Sequence, residues 1–374
     1  MHHHAHEPID PFMRQALDLA ARALGVSAPN PAVGCVIVST DGRVLGQGST
    51  QPVGQAHAEV MALRDAAAQG HASAGVTAYV TLEPCAHHGR TGPCCDALIA
   101  AGVRRVVASL QDPNPKVSGQ GFGRLRAAGV DVQVGPGAAQ ARELNLGFFS
   151  RMVRSTPWVR LKAASSLDGI TALANGQSQW ITSPEARADG HAWRARAGAV
   201  LTGIGTVLQD DPLLDARLAP TPRTPTLVIV DSQLQTPLSA RLWQVPNRRV
   251  LIYTAIDQPA LQQALTERGA EVVQLPNVHG KVDLPALLRD LAAREVNDVH
   301  VEAGYKLNGS LIREALVDEL LLYQAPLLLG EGQGIAAMGP LTDLAQGVRL
   351  RICDVQTVGA DTRLLLRLDG RDAF

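Results

Sequence analysis

Apolar and polar positions change period repeatedly along the first 150 residues. "PFMRQALDLAARAL" (11–24) spaces its apolar residues at helical intervals, whereas "AVGCVIVS" (32–39) is a short β-branched run closed by the turn signal "TDGR". "AHAEVMALRDAAAQ" (56–69) is Ala-rich and helical and stops at Gly70; "GVTAYVTLEP" (75–84) is a strand ended by proline. The pattern continues as helix 94–102, strand 104–112, helix 119–129, strand 130–135 and a single helix over 141–153. Such alternation predicts a layered α/β sheet with parallel crossovers.

"RSTPW" then restarts the chain with the strand "WVRLKAASS". The second half predicts strands at 158–165, 199–203, 226–231, 249–254, 271–275, 298–302, 319–325 and within 348–367. Helices are predicted at 184–197, 258–268, 284–295 and 307–316. The expected organisation is a polar tail over 1–10, one α/β domain over 11–153 and a second over 154–374, with no internal repeat. The tail's histidines, His2, His3, His4 and His6, read as a disordered segment and not as a metal site.

Composition narrows the function. Lys plus Arg number 34 against 35 Asp plus Glu, giving a net charge of −1, and aromatics are 3% of the chain. Nucleic-acid binders need a clustered positive field and stacking platforms, so a small-molecule substrate is expected. No apolar run approaches the roughly 18 residues that span a bilayer. The five cysteines are odd in number, and no apolar N-terminal segment has the form of a secretory signal, so a reducing cytoplasm is the expected compartment.

Four residues carry a metal chemistry. "HAEV" (57–60) sets Glu59 two residues after His57, and "EPCAHHGRTGPC" (83–94) sets Cys94 nine after Cys85. One imidazole and two thiolates form a donor set that zinc favours, and a catalytic zinc keeps a fourth position for water. Glu59 is then free to move protons. The predicted elements put His57 and Glu59 in the first turn of one helix and Cys94 at the start of another. A closed structural zinc with His87, His88 or Cys95 as fourth ligand is the alternative, as is a zinc-stabilised scaffold without activity.

H-x-E followed by P-C and a second cysteine resembles the zinc nucleobase deaminases, although eight residues instead of two separate the cysteines here. The long insert "AHHGRTGP" resembles the riboflavin-biosynthesis branch. So do "NPAVGCVIV" (30–38), "QDPNPKVSGQG" (111–121), "LKAASSLDGITA" (161–172), "SQWITS" (178–183), "TVLQDDPLL" (206–214), "VDS" (230–232) and "VEAG" (301–304). The whole chain therefore resembles the bifunctional riboflavin-biosynthesis deaminase/reductases. The resemblance implies a cytidine-deaminase-like α/β/α layered sheet followed by a dihydrofolate-reductase-like α/β domain.

It also implies two reactions. The first is zinc-dependent hydrolytic deamination at C2 of 2,5-diamino-6-(5-phosphoribosylamino)pyrimidin-4-one. The second is NADPH-dependent reduction of the ribosyl group to ribityl. The expected partner is this phosphoribosylaminopyrimidine, with no nucleic acid or membrane, in a homodimer. A deaminase acting on nucleic acid, with an accessory α/β domain, is the competing reading. Asn30 is expected at the pyrimidine edge and His87, His88 and Arg90 at ribose or phosphate; Asp112, Asn114 and Lys116 follow a strand's C-terminal end, where α/β sheets bind ligands, with Lys116 near phosphate. In the reductase half the resemblance puts the cofactor at Ala164, Trp180, Thr206, Asp210, Ser232 and a loop of Gly304, Tyr305, Lys306, Leu307, Asn308, Gly309 and Ser310. It puts substrate at Ser178, Arg194, Leu214, Arg217 and Glu302; Lys162, with Glu302, ends a strand facing the reacting carbon. Arg194 and Arg217 suit phosphate clamps, since guanidinium binds phosphate bidentately.

Overall fold

The computed structural model describes residues 9–87, 92–115, 117–217 and 224–374. The four tail histidines, His88, Arg90 and Lys116 lie outside the described residues. The chain divides into two compact units, one running through Arg154 and taking in Phe374, the other running from Ser155 to Ala373.

The first unit contains α1 (Pro11–Arg22), β1 (Gly34–Val38), β2 (Val44–Ser49), α2 (Ala58–Ala68), β3 (Thr77–Val80), α3 (Cys94–Ala100), β4 (Arg105–Ala108), α4 (Gln120–Ala127), β5 (Asp131–Val134), α5 (Ala138–Leu144) and α6 (Leu146–Arg154). Its sheet order is β2-β1-β3-β4-β5. Strand alternation splits the core between two faces. Cys35, Ile37, Ala78, Val80, Val106 and Ala108 pack on the side of α2, α3 and α4, while Val36, Val38 and Val107 pack with Met13 and Leu17 of α1 and Ala141 of α5. The result is an α/β/α layer.

Three expectations are corrected here. The crossovers are not all parallel: β1 pairs antiparallel with both β2 and β3, and only β3, β4 and β5 run parallel. The segment after "TDGR" is the strand β2. Its glycines hide the strand signal, but a Cβ at Gly48 would lie 2.6 Å from both Ala62 N and Met61 Cβ, so α2 rests directly on this strand. The helix expected over 141–153 is two helices broken at Asn145. That side chain is spent on Ala32 N (2.8 Å), Ala32 O (2.9 Å) and Ala141 O (3.1 Å), and it ties the break to the start of β1.

The second unit contains β6 (Trp158–Ser165), β7 (Ala172–Leu173), α7 (Pro184–Arg196), β8 (Ala199–Gly203), α8 (Ile204–Asp210), β9 (Thr226–Val230), β10 (Val250–Thr254), α9 (Pro259–Glu267), β11 (Ala270–Gln274), α10 (Leu284–Ala293), β12 (Asp298–Val301), α11 (Tyr305–Arg313), β13 (Glu319–Gln324), β14 (Gly332–Gln333), β15 (Arg351–Val358) and β16 (Asp361–Arg367). Nine strands run in the order β11-β10-β9-β8-β12-β6-β13-β16-β15. The first seven in this order are parallel; β16 and β15 close the edge as an antiparallel hairpin. Val159, Leu161, Val299 and Val301 face α10 and α11. The intervening positions, Arg160, Lys162 and His300, point to the other face, where α7 lies, and β12 sets His300 beside Arg160.

Candidate active sites

In the first unit α2 begins where β2 lets it approach the sheet. His57 is its N-cap in extended conformation, and it makes no side-chain capping bond, so its ring is available. Cys85 lies in the turn after β3, and Cys94 is the first residue of α3. His57 Nδ1 is 3.6 Å from Cys85 Sγ and 3.3 Å from Cys94 Sγ, and the three donor atoms all lie within 4.8 Å of one another. Ligands at zinc bond lengths in a tetrahedron stand about 3.3–3.8 Å apart, so the donor set fits that ion in both chemistry and spacing. Among the described residues neither His87 nor Cys95 joins the cluster as a fourth donor.

The electrostatics suit a cation. The Cys94 thiol, then His57 and the Cys94 N–H (3.3 Å), hold Cys85 down to about 4, while the same sulfur contact pushes Cys94 well up. Glu59 is 4% exposed, and burial, reinforced by Cys85, pushes its carboxyl up to about 7.

Glu83, to which sequence reasoning assigned no role, organises the neighbouring wall. It is 4% exposed. Its Oε2 accepts from Asp112 N (3.1 Å) and Gly119 N (2.9 Å), its Oε1 from Gly121 N (2.9 Å) and Phe122 N (3.3 Å). It thereby caps α4, whose own N-cap Gly119 has no side chain to do so. It also fixes the loop after β4. On that loop Asp112 accepts from Asn114 N (2.8 Å), and burial, with Glu83 and Cys85 adding, pushes its carboxyl up to about 7. Asn30 is half-buried in the turn before β1, held from below by Arg151 to Pro29 O (2.9 Å). His87 is exposed. The acidic end of an apolar strand in "TLEP" was the available clue to Glu83, because a buried carboxylate must find donors.

In the second unit Arg194 of α7 grips Glu302 through Nε (2.6 Å) and Nη2 (2.9 Å), and its Nη1 donates to Asp215 O. Each guanidinium nitrogen thus has a protein partner, so a phosphate reaching Arg194 must compete with Glu302. Arg217 meets Asp215 and is about half exposed. Lys162 is one strand over from Glu302; burial lowers its pKa, and Glu302 opposes that shift. Arg248, also unforeseen, donates to Leu213 O (2.5 Å) and Leu214 O (3.3 Å) and holds the loop that carries Leu214 at φ 51°.

Gly203 and Gly304 begin α8 and α11 at the ends of the adjacent strands β8 and β12, both without side-chain caps, and Thr206 Oγ1 lies beside Gly304. These exposed backbone donors suit a pyrophosphate. The expected 304–310 loop is instead this N-cap followed by helix. Tyr305 and Lys306 open α11, and Leu307 packs toward Gly203. Asn308 donates to Ile335 O (3.0 Å), a Cβ on Gly309 would strike Ala337, and Ser310 donates to Lys306 O (3.2 Å). Asn308 and Gly309 therefore secure the 335–337 segment. Ser232 is committed internally, its Oγ accepting from Val282 N (3.2 Å). Ala164 and Ser178 are half-buried, Asp210 ends α8, and Trp180 is largely exposed with Arg187 4.5 Å over its ring.

Residues 6–110 match the family described as the cytidine and deoxycytidylate deaminase zinc-binding region, and residues 157–364 match the RibD C-terminal domain. Fold and site thus define a zinc-binding deaminase joined to a reductase. The chain is 44% identical to the Escherichia coli riboflavin biosynthesis protein RibD, covering 95% of this chain and 98% of that one. It is 39% identical to the Aquifex aeolicus protein of the same name, covering 94% and 96%. Acinetobacter baumannii RibD superposes with a TM-score of 0.85 at 40% identity over 95% of this chain and 97% of that one. A Thermotoga maritima diaminohydroxyphosphoribosylaminopyrimidine deaminase/5-amino-6-(5-phosphoribosylamino)uracil reductase gives 0.85 at 33% identity over 96% and 97%. The chain belongs to the RibD family of bifunctional riboflavin-biosynthesis enzymes.

Proposed function

We propose that this chain performs both steps of its family on one substrate skeleton, with residues 11–153 as the deaminase domain and 154–374 as the reductase domain. The observation that carries the reading is the cluster of His57, Cys85 and Cys94 with the buried carboxyl of Glu59 two residues from the histidine. These three side chains hold zinc, which when bound supplies a water of lowered pKa. Glu59 takes the proton of the attacking water and delivers it to the leaving amine at C2 of the pyrimidine. Asn30, Asp112, Asn114 and His87 orient 2,5-diamino-6-(5-phosphoribosylamino)pyrimidin-4-one.

In the second step NADPH supplies the hydride that opens the ribosyl group to ribityl, giving 5-amino-6-(5-phosphoribitylamino)uracil. The uncapped start of α11 at Gly304, with Thr206, receives the cofactor's phosphates; Lys162, Arg194 and Glu302 face the sugar. Trp180, Asp210 and Ser232 line the rest of the cofactor site, and Ser178, Leu214 and Arg217 that of the substrate.

Five free cysteines suit a reducing cytoplasm, and among the described residues no helix is long and apolar enough to cross a membrane. A homodimer is supported by the open edge strand β15, whose Ile352 and Val355 are 59% and 54% exposed. With a net charge of −1, no nucleic-acid partner is expected.

The test separates the two steps. The pyrimidine is incubated with and without NADPH, and ammonia release and NADPH oxidation are followed independently. Ammonia release without NADPH, and oxidation only after deamination, is the expected result. A chain that releases no ammonia, or that prefers NADH in parallel assays, overturns the corresponding half.

A further inference from the structure

His300 sits in β12 between Val299 and Val301, and its side chain is wholly buried. Its Nε2 is 3.3 Å from Glu302 Oε1, yet neither ring nitrogen makes a hydrogen bond among the described residues. Burial keeps the ring neutral. A buried imidazole without hydrogen bonds in a strand interior costs stability that an apolar side chain would not. The other polar groups on this face are committed elsewhere: Arg160 donates to Glu319 (2.5 Å), and Glu319 also accepts from Arg367 (2.9 Å). The polar neighbour that His300 can serve is therefore Glu302.

Glu302 has three supports: the Arg194 grip, Lys162 and His300. If Arg194 turns to a substrate phosphate, Glu302 loses both of its strong bonds at once. Lys162 and His300 then remain to fix its direction. His300 lies beneath it two residues earlier on the same strand face and moves only with the sheet.

We propose that His300 is a positioning residue for the reduction, its Nε2, 3.3 Å from Glu302 Oε1, becoming a hydrogen-bond partner that aims Glu302 when Arg194 engages substrate. This rests on reading Lys162, Arg194 and Glu302 as the reductase site. Its destabilising burial is then the reason the position is not simply apolar.

The test compares His300→Leu with His300→Gln, whose amide nitrogen falls near the position of Nε2. Reduction of 5-amino-6-(5-phosphoribosylamino)uracil by NADPH is measured at steady state, with melting temperature as the second readout. His300→Leu is expected to melt at or above the wild-type temperature. Its kcat should fall at least about tenfold, with KM for NADPH within about twofold, the signature of lost alignment after binding. His300→Gln should recover kcat to within about threefold. A His300→Leu enzyme that reduces at the wild-type rate overturns the proposal. So does loss in both variants that tracks a lowered melting temperature, which marks a structural role. Wild-type enzyme that oxidises no NADPH would instead overturn the reading of the site, and the proposal with it.

Discussion

Replacing Glu83 by glutamine changes one oxygen to an amide nitrogen and nothing in shape, yet it strikes the wall of the deaminase site. The four backbone N–H groups that converge on the carboxylate come in two pairs, Asp112 and Gly119 on one oxygen, Gly121 and Phe122 on the other. Whichever way the amide is turned, one pair faces NH2 instead of an acceptor. Leaving a buried donor unsatisfied costs about 1–3 kcal/mol, and the surviving pair loses the charge assistance of a carboxylate. Local relaxation of the 112–119 loop trims the sum, so a net cost of about 2–4 kcal/mol is expected.

Because the loop carries Asp112 and Asn114, the effect should reach the pyrimidine and not the metal. At 1.36 kcal/mol per factor of ten, a partial transfer of that cost predicts a fall in deaminase kcat/KM of about 10- to 100-fold, carried mainly by KM. His57, Cys85 and Cys94 are untouched, so zinc content should stay stoichiometric by atomic emission. NADPH oxidation with pre-deaminated substrate should be unchanged, since Glu83 belongs to the other compact unit. Wild-type KM for the pyrimidine in zinc-loaded Glu83→Gln would refute the argument that this carboxylate orients the wall.

Glu59→Gln should keep zinc and reduction but lose deamination by at least about 100-fold, as expected for a removed proton carrier, and ammonia release measures it. Chelation of zinc should abolish ammonia release while reduction of deaminated substrate continues; an equal loss of both would refute independent sites. His191 is held down to about 4, first by burial and then by Arg194 and Arg217, against an ordinary value of 6.5. The unfolded chain therefore takes up a proton at higher pH than the folded one, and this group removes stability as pH falls from 6.5 to about 4. His191→Asn should melt with a flatter dependence on pH across that window, and an unchanged slope would exclude the contribution.

The two sites were unequally legible for a physical reason. Zinc chemistry constrains residue type so strongly that His57, Cys85 and Cys94 announce themselves by identity, and His57 and Cys94 also by their places at two helix starts. The β–α alternation that sets those places was also readable, because each element buries one periodic face. What stayed hidden was whatever depends on backbone donors or on distant partners. The donors of Glu83 are main-chain groups of residues 112–122, which carry no letter in the sequence. β2 was concealed by Gly46 and Gly48, the same residues that admit α2 and so bring His57 forward.

In the reductase unit the chemistry is carried by ordinary charges, and residue type alone misleads. Arg194 suggested a phosphate clamp, but its partner Glu302 lies 108 residues away, and only the sheet brings them together. That pairing changes what binding must do. A phosphate reaching Arg194 has to compete with a carboxylate already held through two bonds. On the proposed reading of the site, binding and the release of Glu302 are one event, and affinity for the phosphate end is traded for a carboxylate freed at the reacting sugar. A site that works this way needs other groups to hold Glu302 at that moment, and Lys162 and His300 stand where those groups must be.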